Sequence, residues 1–465
     1  MRLTAKRDHA RNVIDNGELL IPIGIEYKYS EDDSQLSAPF SSRAQFHDRV
    51  KRVTMHALSL LIAAGVAVAA PASKPQQTPA VTNIQVGPRP FWLVDQMDES
   101  PLKEKLESCT EKPIHHAPFF SISHRGGPLQ FPEHSREGLY AGARMGAGVL
   151  ECDVAFTSDR QLVCRHSQCD LHTTTNILLV PELAKKCTTP FQPATEDSEA
   201  TAKCCTSDIT HDEFLSLCAK MDSSNPDATT PEEYQYGGPS WRTELYDNCA
   251  TTIDHRTYIE ITKSLGLQFT PELKTPEVKM PFQGNYTQEA YAQQLIDEYK
   301  QAGISPSRVW PQSFLEDDIL YWIKAEPSFG KQAVYLDPRV DTEEGYQTAV
   351  SDMEKLYKQG VRILAPPIFA LLNSTDSGEI IPSSYAKAAK KAGFDLITWS
   401  LERSGPLKQA AADKEYYIST IADVIKGDGD MYRIVDALAQ KVGVKAMFSD
   451  WPATVSYYAN CLGLK

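Results

Sequence analysis

Between residues 124 and 166 the chain brings together His124-Arg125-Gly126, Glu151-Cys152-Asp153 and Cys164-Arg165-His166. Two imidazoles can exchange protons near neutral pH. An arginine can grip a phosphate through its planar fork. Glu151 and Asp153 are two residues apart, so on a strand they face the same side and repel unless a cation lies between them. A hard divalent ion with oxygen ligands, Mg²⁺ or Ca²⁺, resolves that conflict. The combined chemistry is metal-assisted cleavage of a phosphodiester. Taken alone, the Glu151/Asp153 pair would better fit the solvated face of an edge strand, and it is the surrounding residues that reverse this reading.

The local pattern explains how these groups could converge. Phe119 to Ser123 reads as a short buried strand ending at His124, and Val149 to Val154 as a second strand. Between them, residues 135–148 place Leu139, Ala143, Met145 and Ala147 at helix-like spacing. Such a unit has parallel strands joined by a right-handed crossover, with reactive groups at the strands' carboxyl ends. Residues 161–165 read as the return arm of a hairpin that carries His166 over the mouth.

These residues resemble the glycerophosphodiester phosphodiesterase family, in particular its secreted, fungal-type members. The family's order of H-R-G, P-E-N-T, G-A, E-x-D-V, T-x-D, H-D and T-T is met here. The matching segments are His124-Arg125-Gly126, Pro132-Glu133-His134-Ser135, Gly146-Ala147, Glu151-Cys152-Asp153-Val154, Thr157-Ser158-Asp159, His166-Ser167 and Thr173-Thr174. Two departures stand out: Ser167 replaces the usual Asp after the second histidine, and His134-Ser135 replaces Asn-Thr. The resemblance implies His124 and His166 as acid and base and Arg125 on the substrate phosphate. It implies Glu151 and Asp153 on the metal. Pro271-Glu272-Leu273-Lys274 matches the family's E-x-K segment, which implies Glu272 as third metal carboxylate and Lys274 as a phosphate contact. Trp399-Ser400-Leu401 resembles the family's tryptophan segment, so Trp399 would wall the pocket. Ser449-Asp450-Trp451-Pro452 resembles its closing T-D-x-P and reads mainly as a barrel-closing turn, with Asp450 facing the site as the lesser alternative.

The resemblance and the patterning agree on an α/β fold, a (β/α)₈ TIM barrel. Six further strand candidates follow: 268–274, 309–314, 333–337, 362–366, 395–401 and 446–450. Helical patterns at 287–301, 315–325, 343–359, 383–392 and 431–442 separate most of them. The implied activity is hydrolysis of glycerophosphodiesters to glycerol 3-phosphate and an alcohol. Two alternatives belong to other classes: a lysolipid or sphingolipid phosphodiesterase of the phospholipase D-like barrel type, and a non-catalytic barrel used as a binding module, which Ser167 keeps open.

Residues 55–70 form a short apolar run behind Arg49, Lys51 and Arg52 that ends in Ala67-Val68-Ala69, as a secretory signal peptide does. Residues 1–54 read as a non-native leader, with a signal anchor and cytosolic tail as the rival. Residues 71–90 read as a proline-rich linker and 91–465 as the barrel. Six of the ten cysteines lie in residues 167–267, an insertion between strands two and three: Cys169, Cys187, Cys204, Cys205, Cys218 and Cys249. Disulfides in an oxidising compartment fit better than zinc, because the spacings match no tetrahedral template. The insertion is polar and turn-rich, so it is expected to bury little apolar area, to depend on those links, and to cap the pocket. Cys109 and Cys461 flank the barrel and could staple its ends, and Cys152 and Cys164 could bridge or stay free. The sequons at Asn285 and Asn373 also fit a secreted, extracellular or cell-wall-associated glycoprotein.

With 47 Lys and Arg against 61 Asp and Glu, the chain carries a net charge of −14. An acidic domain is a poor nucleic-acid binder and gains nothing from anionic lipid. The expected partner is a small-molecule glycerophosphodiester or lysolipid-like substrate, with no stable membrane span after processing. The sequence sets no oligomeric state.

Overall fold

The computed structural model describes residue 81 and residues 83–465, apart from 115, 116, 247 and 248. The expected leader, the signal peptide and residues 71–80 of the linker lie outside the described residues. Eight parallel strands close into a barrel: Ser121–Ser123, Val149–Phe156, Gln268–Leu273, Gln312–Ser313, Val334–Tyr335, Ile363–Leu364, Asp395–Leu401 and Ala446–Ser449. Closure is made by the first strand, where Ile122 pairs with both Phe448 and Val149. The hairpin arm Leu162–Cys164 runs antiparallel to the second strand.

Alternation along the strands sorts the side chains. Ile122, Val149, Val334, Ile363, Ile397, Ala446 and Phe448 fill the barrel interior. Leu150, Cys152 and Val154 face outward into the layer beneath the helices. Glu151 and Asp153 therefore point inward with Val149. The second strand is buried along its whole length, so it is no solvated edge. Polar N-caps start the helices: Ser135 accepts from Gly138 N at the head of Arg136–Arg144, and Thr287, Thr342 and Ser383 do the same for Gln288–Gln301, Glu343–Lys358 and Ser384–Ala392.

Three expectations are corrected. The linker does not extend to residue 90: Val86 is buried, Gln85 N donates to Arg144 O, and a helix begins at Arg89, which pairs with the buried Glu402. The last strand does not end in a turn alone, because the helix Pro452–Leu462 follows it and buries most of its side chains against the barrel. The insertion does have apolar area to bury: Leu171, Ile177, Leu178, Phe214, Leu217 and Tyr234 are among the members of a core of its own. That part of the sequence hides its apolar residues because they sit in very short elements with no helical or strand period. Its end forms the helix His255–Ser264, which leads into the third strand.

Five disulfides close the structure: Cys109–Cys461, Cys152–Cys164, Cys169–Cys205, Cys187–Cys204 and Cys218–Cys249. Among the described residues no helix is long and apolar enough to cross a membrane.

Candidate active site

Strand register builds the floor of the site. Asp153 lies opposite Glu272, and Glu272 opposite Gln312, so three polar side chains from neighbouring strands form one row. One oxygen from each of Glu151, Asp153 and Glu272 can be chosen so that all lie within 4.8 Å of one another. All three residues are buried. Glu151 accepts from Arg125 N at 2.8 Å and from Gln312 Nε2 at 3.1 Å. Asp153 Oδ2 accepts from His134 Nε2 at 2.9 Å, while its buried Oδ1 has no hydrogen-bond partner.

Like charges this close cannot all stay ionised without help. Burial and the neighbouring Asp153 push Glu151 well above the usual carboxylate range. Burial raises Glu272 to about 7, with Lys274 opposing and Asp153 reinforcing the rise. Burial also acts to raise Asp153, yet His134, Lys274 and Arg125 hold it well below that range. Three carboxylates with no thiolate or imidazole among them, one presenting an unpartnered buried oxygen, fit a hard divalent cation. His134 fixes Asp153 from behind, as outer partners of metal ligands do.

Above this floor opens a cavity of about 300 Å³ lined by His124, Arg125, Glu151, His166, Glu272, Lys274 and Trp399. With Asp153 behind its wall, every candidate read from the sequence lies in one place. Arg125 is aimed by Glu133 at 3.0 Å and lies 3.4 Å from Asp153. Lys274 sits 2.5 Å from Glu272. Burial and then Arg125 lower His124 to about 4, and burial with Arg125 and Lys274 keeps His166 well below its ordinary value. Both imidazoles are therefore neutral at neutral pH. The Ser167 hydroxyl donates to Glu277 and has no described bond to His166. The opposite wall is apolar, built from Phe314, Leu336, Trp399, Tyr417 and Phe448.

Several residues of the site carry no role, or only a lesser one, on sequence alone. Asp450, expected mainly in a turn, accepts from His124 Nδ1 at 2.5 Å. Gln312, Arg403 and Tyr417 line the cavity, and Glu133 anchors three arginines. Glu133 and Asp450 stood inside recognised motifs, and Gln312 stood inside an expected strand. Arg403 and Tyr417 carried no signal. None of the lining residues comes from 167–267, so among the described residues the insertion does not wall the cavity itself.

The Glycerophosphoryl diester phosphodiesterase family matches residues 124–454. This chain belongs to that family of phosphoric diester hydrolases. It is 55% identical over 245 residues to a protein of Arthroderma benhamiae named "Extracellular protein", a match that spans all of that protein and 52% of this chain. Among solved structures it is similar to an Oleispira antarctica phosphodiesterase in complex with the product sn-glycerol-3-phosphate, at 16% identity and TM-score 0.42, covering 72% of this chain and 95% of that one. A glycerophosphodiester phosphodiesterase from Agrobacterium tumefaciens gives 13% identity and TM-score 0.41, covering 72% and 98%.

Proposed function

We propose that this phosphodiesterase hydrolyses glycerophosphodiesters to glycerol 3-phosphate and an alcohol, using His124 and His166 as acid and base. The observation that carries this reading is a single cavity lined by two imidazoles and three cations, Arg125, Lys274 and Arg403, over an inward cluster of three carboxylates. Asp450 is held below the ordinary carboxylate range by Arg403, His124 and Arg242 against the effect of burial, so it is an acceptor and Nδ1 of His124 carries the ring proton. Nε2 is then the nitrogen left for proton transfer in the cavity. Arg125 and Lys274 hold the non-bridging phosphoryl oxygens. Glu151, Asp153 and Glu272 would hold one divalent cation, Mg²⁺ or Ca²⁺, which when bound offsets negative charge developing at phosphorus.

The glycerol hydroxyl next to the phosphate gives its proton to one imidazole and attacks phosphorus. The other imidazole enters the step protonated, a form that the bound phosphodiester anion beside it favours, and gives that proton to the departing alcohol oxygen. Water then opens the cyclic diester with the two roles exchanged. Trp399, with Phe314 and Tyr417, forms an apolar wall for the carbon skeleton. Five disulfides and the name of the Arthroderma benhamiae relative support action outside the cell.

One observation favours the lysolipid reading as second. Tyr236, Leu245 and Tyr246 stand 59–63% exposed in one segment of the insertion, a composition suited to a lipid–water interface. A coupled assay decides between them. Glycerol 3-phosphate release from glycerophosphocholine, lost in His124→Ala, is expected. Choline release from lysolipid micelles with no release from soluble diesters would overturn the first reading.

A further inference from the structure

Behind His124 lies a closed network of charges. Asp450 Oδ1 takes His124 Nδ1 at 2.5 Å and the Ser400 hydroxyl at 3.2 Å. Its Oδ2 takes Arg403 Nη1 at 3.0 Å and Arg242 Nη2 at 3.2 Å. Glu133 Oε1 takes the same two guanidinium groups, Arg403 at 3.1 and 3.2 Å and Arg242 at 3.3 Å, while its Oε2 takes Arg125. Arg403 and Arg242 each bridge the two carboxylates. Of these residues only Arg242 belongs to the 167–267 insertion.

Its segment is pinned to the barrel mouth. Thr243 N donates to Leu129 O at 2.9 Å, and Tyr246 stacks on Phe131 with ring centroids 4.6 Å apart. The Trp241 ring lies so close over Gly405 that a Cβ there would meet it at 2.5 Å. The Arg242 side chain is only 9% exposed.

We infer that Arg242 is a positioning residue for His124: the cysteine-rich insertion supplies one of the two bridges that hold Asp450, and through Asp450 it fixes the tautomer and orientation of the imidazole. The inference rests on His124 being an acid/base group. Without Arg242, Asp450 keeps Arg403 as its guanidinium partner while Glu133 still holds Arg403 and Arg125, so the two carboxylates share one bridge and repel one another across it. Asp450 then has freedom to leave the line of the His124 Nδ1–H. The charged and polar groups facing His124 are Arg125, Arg403, Asp450 and Ser400, with the Phe448 ring edge-on. A less compensated Asp450 favours imidazolium, so the acid limb of the rate profile moves to higher pH.

The test uses the full secreted chain with metal present and glycerophosphocholine as substrate. Arg242→Ala is expected to lower kcat roughly ten- to a hundredfold, leave KM and bound-metal content unchanged, and shift the acid limb upward. Arg242→Gln keeps the bulk but not the charge and is expected to behave the same way, which covers the case in which the alanine variant does not fold. Wild-type kcat and pH profile in a folded Arg242 variant, with His124→Ala inactive, would overturn the inference alone. An active His124→Ala would overturn the functional reading beneath it.

Discussion

His134 Nε2 lies 2.9 Å from Asp153 Oδ2 inside the barrel, and this bond leaves Asp153 Oδ1 as the oxygen without a hydrogen-bond partner. His134 has a φ of 52°, a left-handed conformation that Asn and His tolerate better than most residues. The departure from the family's Asn therefore keeps the backbone and changes the donor. His134→Asn should retain metal and most of the activity. His134→Ala should weaken metal binding roughly tenfold or more, and equal metal affinity in the two variants by calorimetry would refute this.

Removal of the cation should abolish turnover. A chelator is expected to inactivate the enzyme, with Mg²⁺ or Ca²⁺ restoring it. Glu151→Gln should lose both metal and rate, while His124→Ala keeps the metal and loses only rate. Metal retained in elemental analysis of a Glu151, Asp153 and Glu272 triple variant would exclude the site.

The raised carboxyls give metal binding a defined pH dependence. Glu272 titrates at about 7 through burial, and Glu151 lies well above its ordinary value. Both must shed protons to serve as ligands, so metal affinity should strengthen as pH rises through about 7. The sign is opposite for the metal-free protein. A carboxyl whose folded pKa is raised contributes stability below its unfolded pKa and loses it as pH climbs to the folded one. For Glu272 that loss falls between about pH 4.5 and pH 7, where the lowered His124 and His166 act in the opposite sense. In metal-free protein the denaturant midpoint of Glu272→Gln relative to the unsubstituted chain should therefore rise with pH over that window, and a difference that stays flat would contradict the assignment.

Gly126 has a φ of +106°, and a Cβ on it would sit 2.9 Å from the carbonyl carbon of Gly138. Gly126→Ala combines a strained backbone, costing about 1–3 kcal/mol, with a collision between the His124 loop and the head of the first barrel helix. A lower denaturant midpoint and lost activity are expected, and an unchanged midpoint would show that the loop and helix can separate.

Among the insertion's bridges, only Cys218–Cys249 places both partners outside the fully buried set, with Cys249 exposed. Mild reduction should open it first, ahead of Cys152–Cys164, whose residues are wholly buried. Cys218–Cys249 closes the loop carrying Arg242, so kcat should fall before the far-UV signal changes, because the barrel and the insertion each have their own core. Differential alkylation with mass spectrometry that finds Cys152–Cys164 labelled first would refute this order.

The sequence by itself determined what is local. The two-residue spacing of Glu151 and Asp153 set them on one face, and Asp395–Leu401 was readable to the residue from its apolar run. The alternation of apolar strand segments with helical patterns likewise pointed to the barrel. Only tertiary structure decided the partners. His124 and Asp450 stand 326 residues apart, and they meet because the first and last strands pair to close the barrel. Arg242 and Arg403 reach the same two carboxylates from irregular segments whose course no periodicity records. The insertion's core escaped for the same reason: side chains in elements of three to five residues reveal a shared interior only when the chain is folded over them.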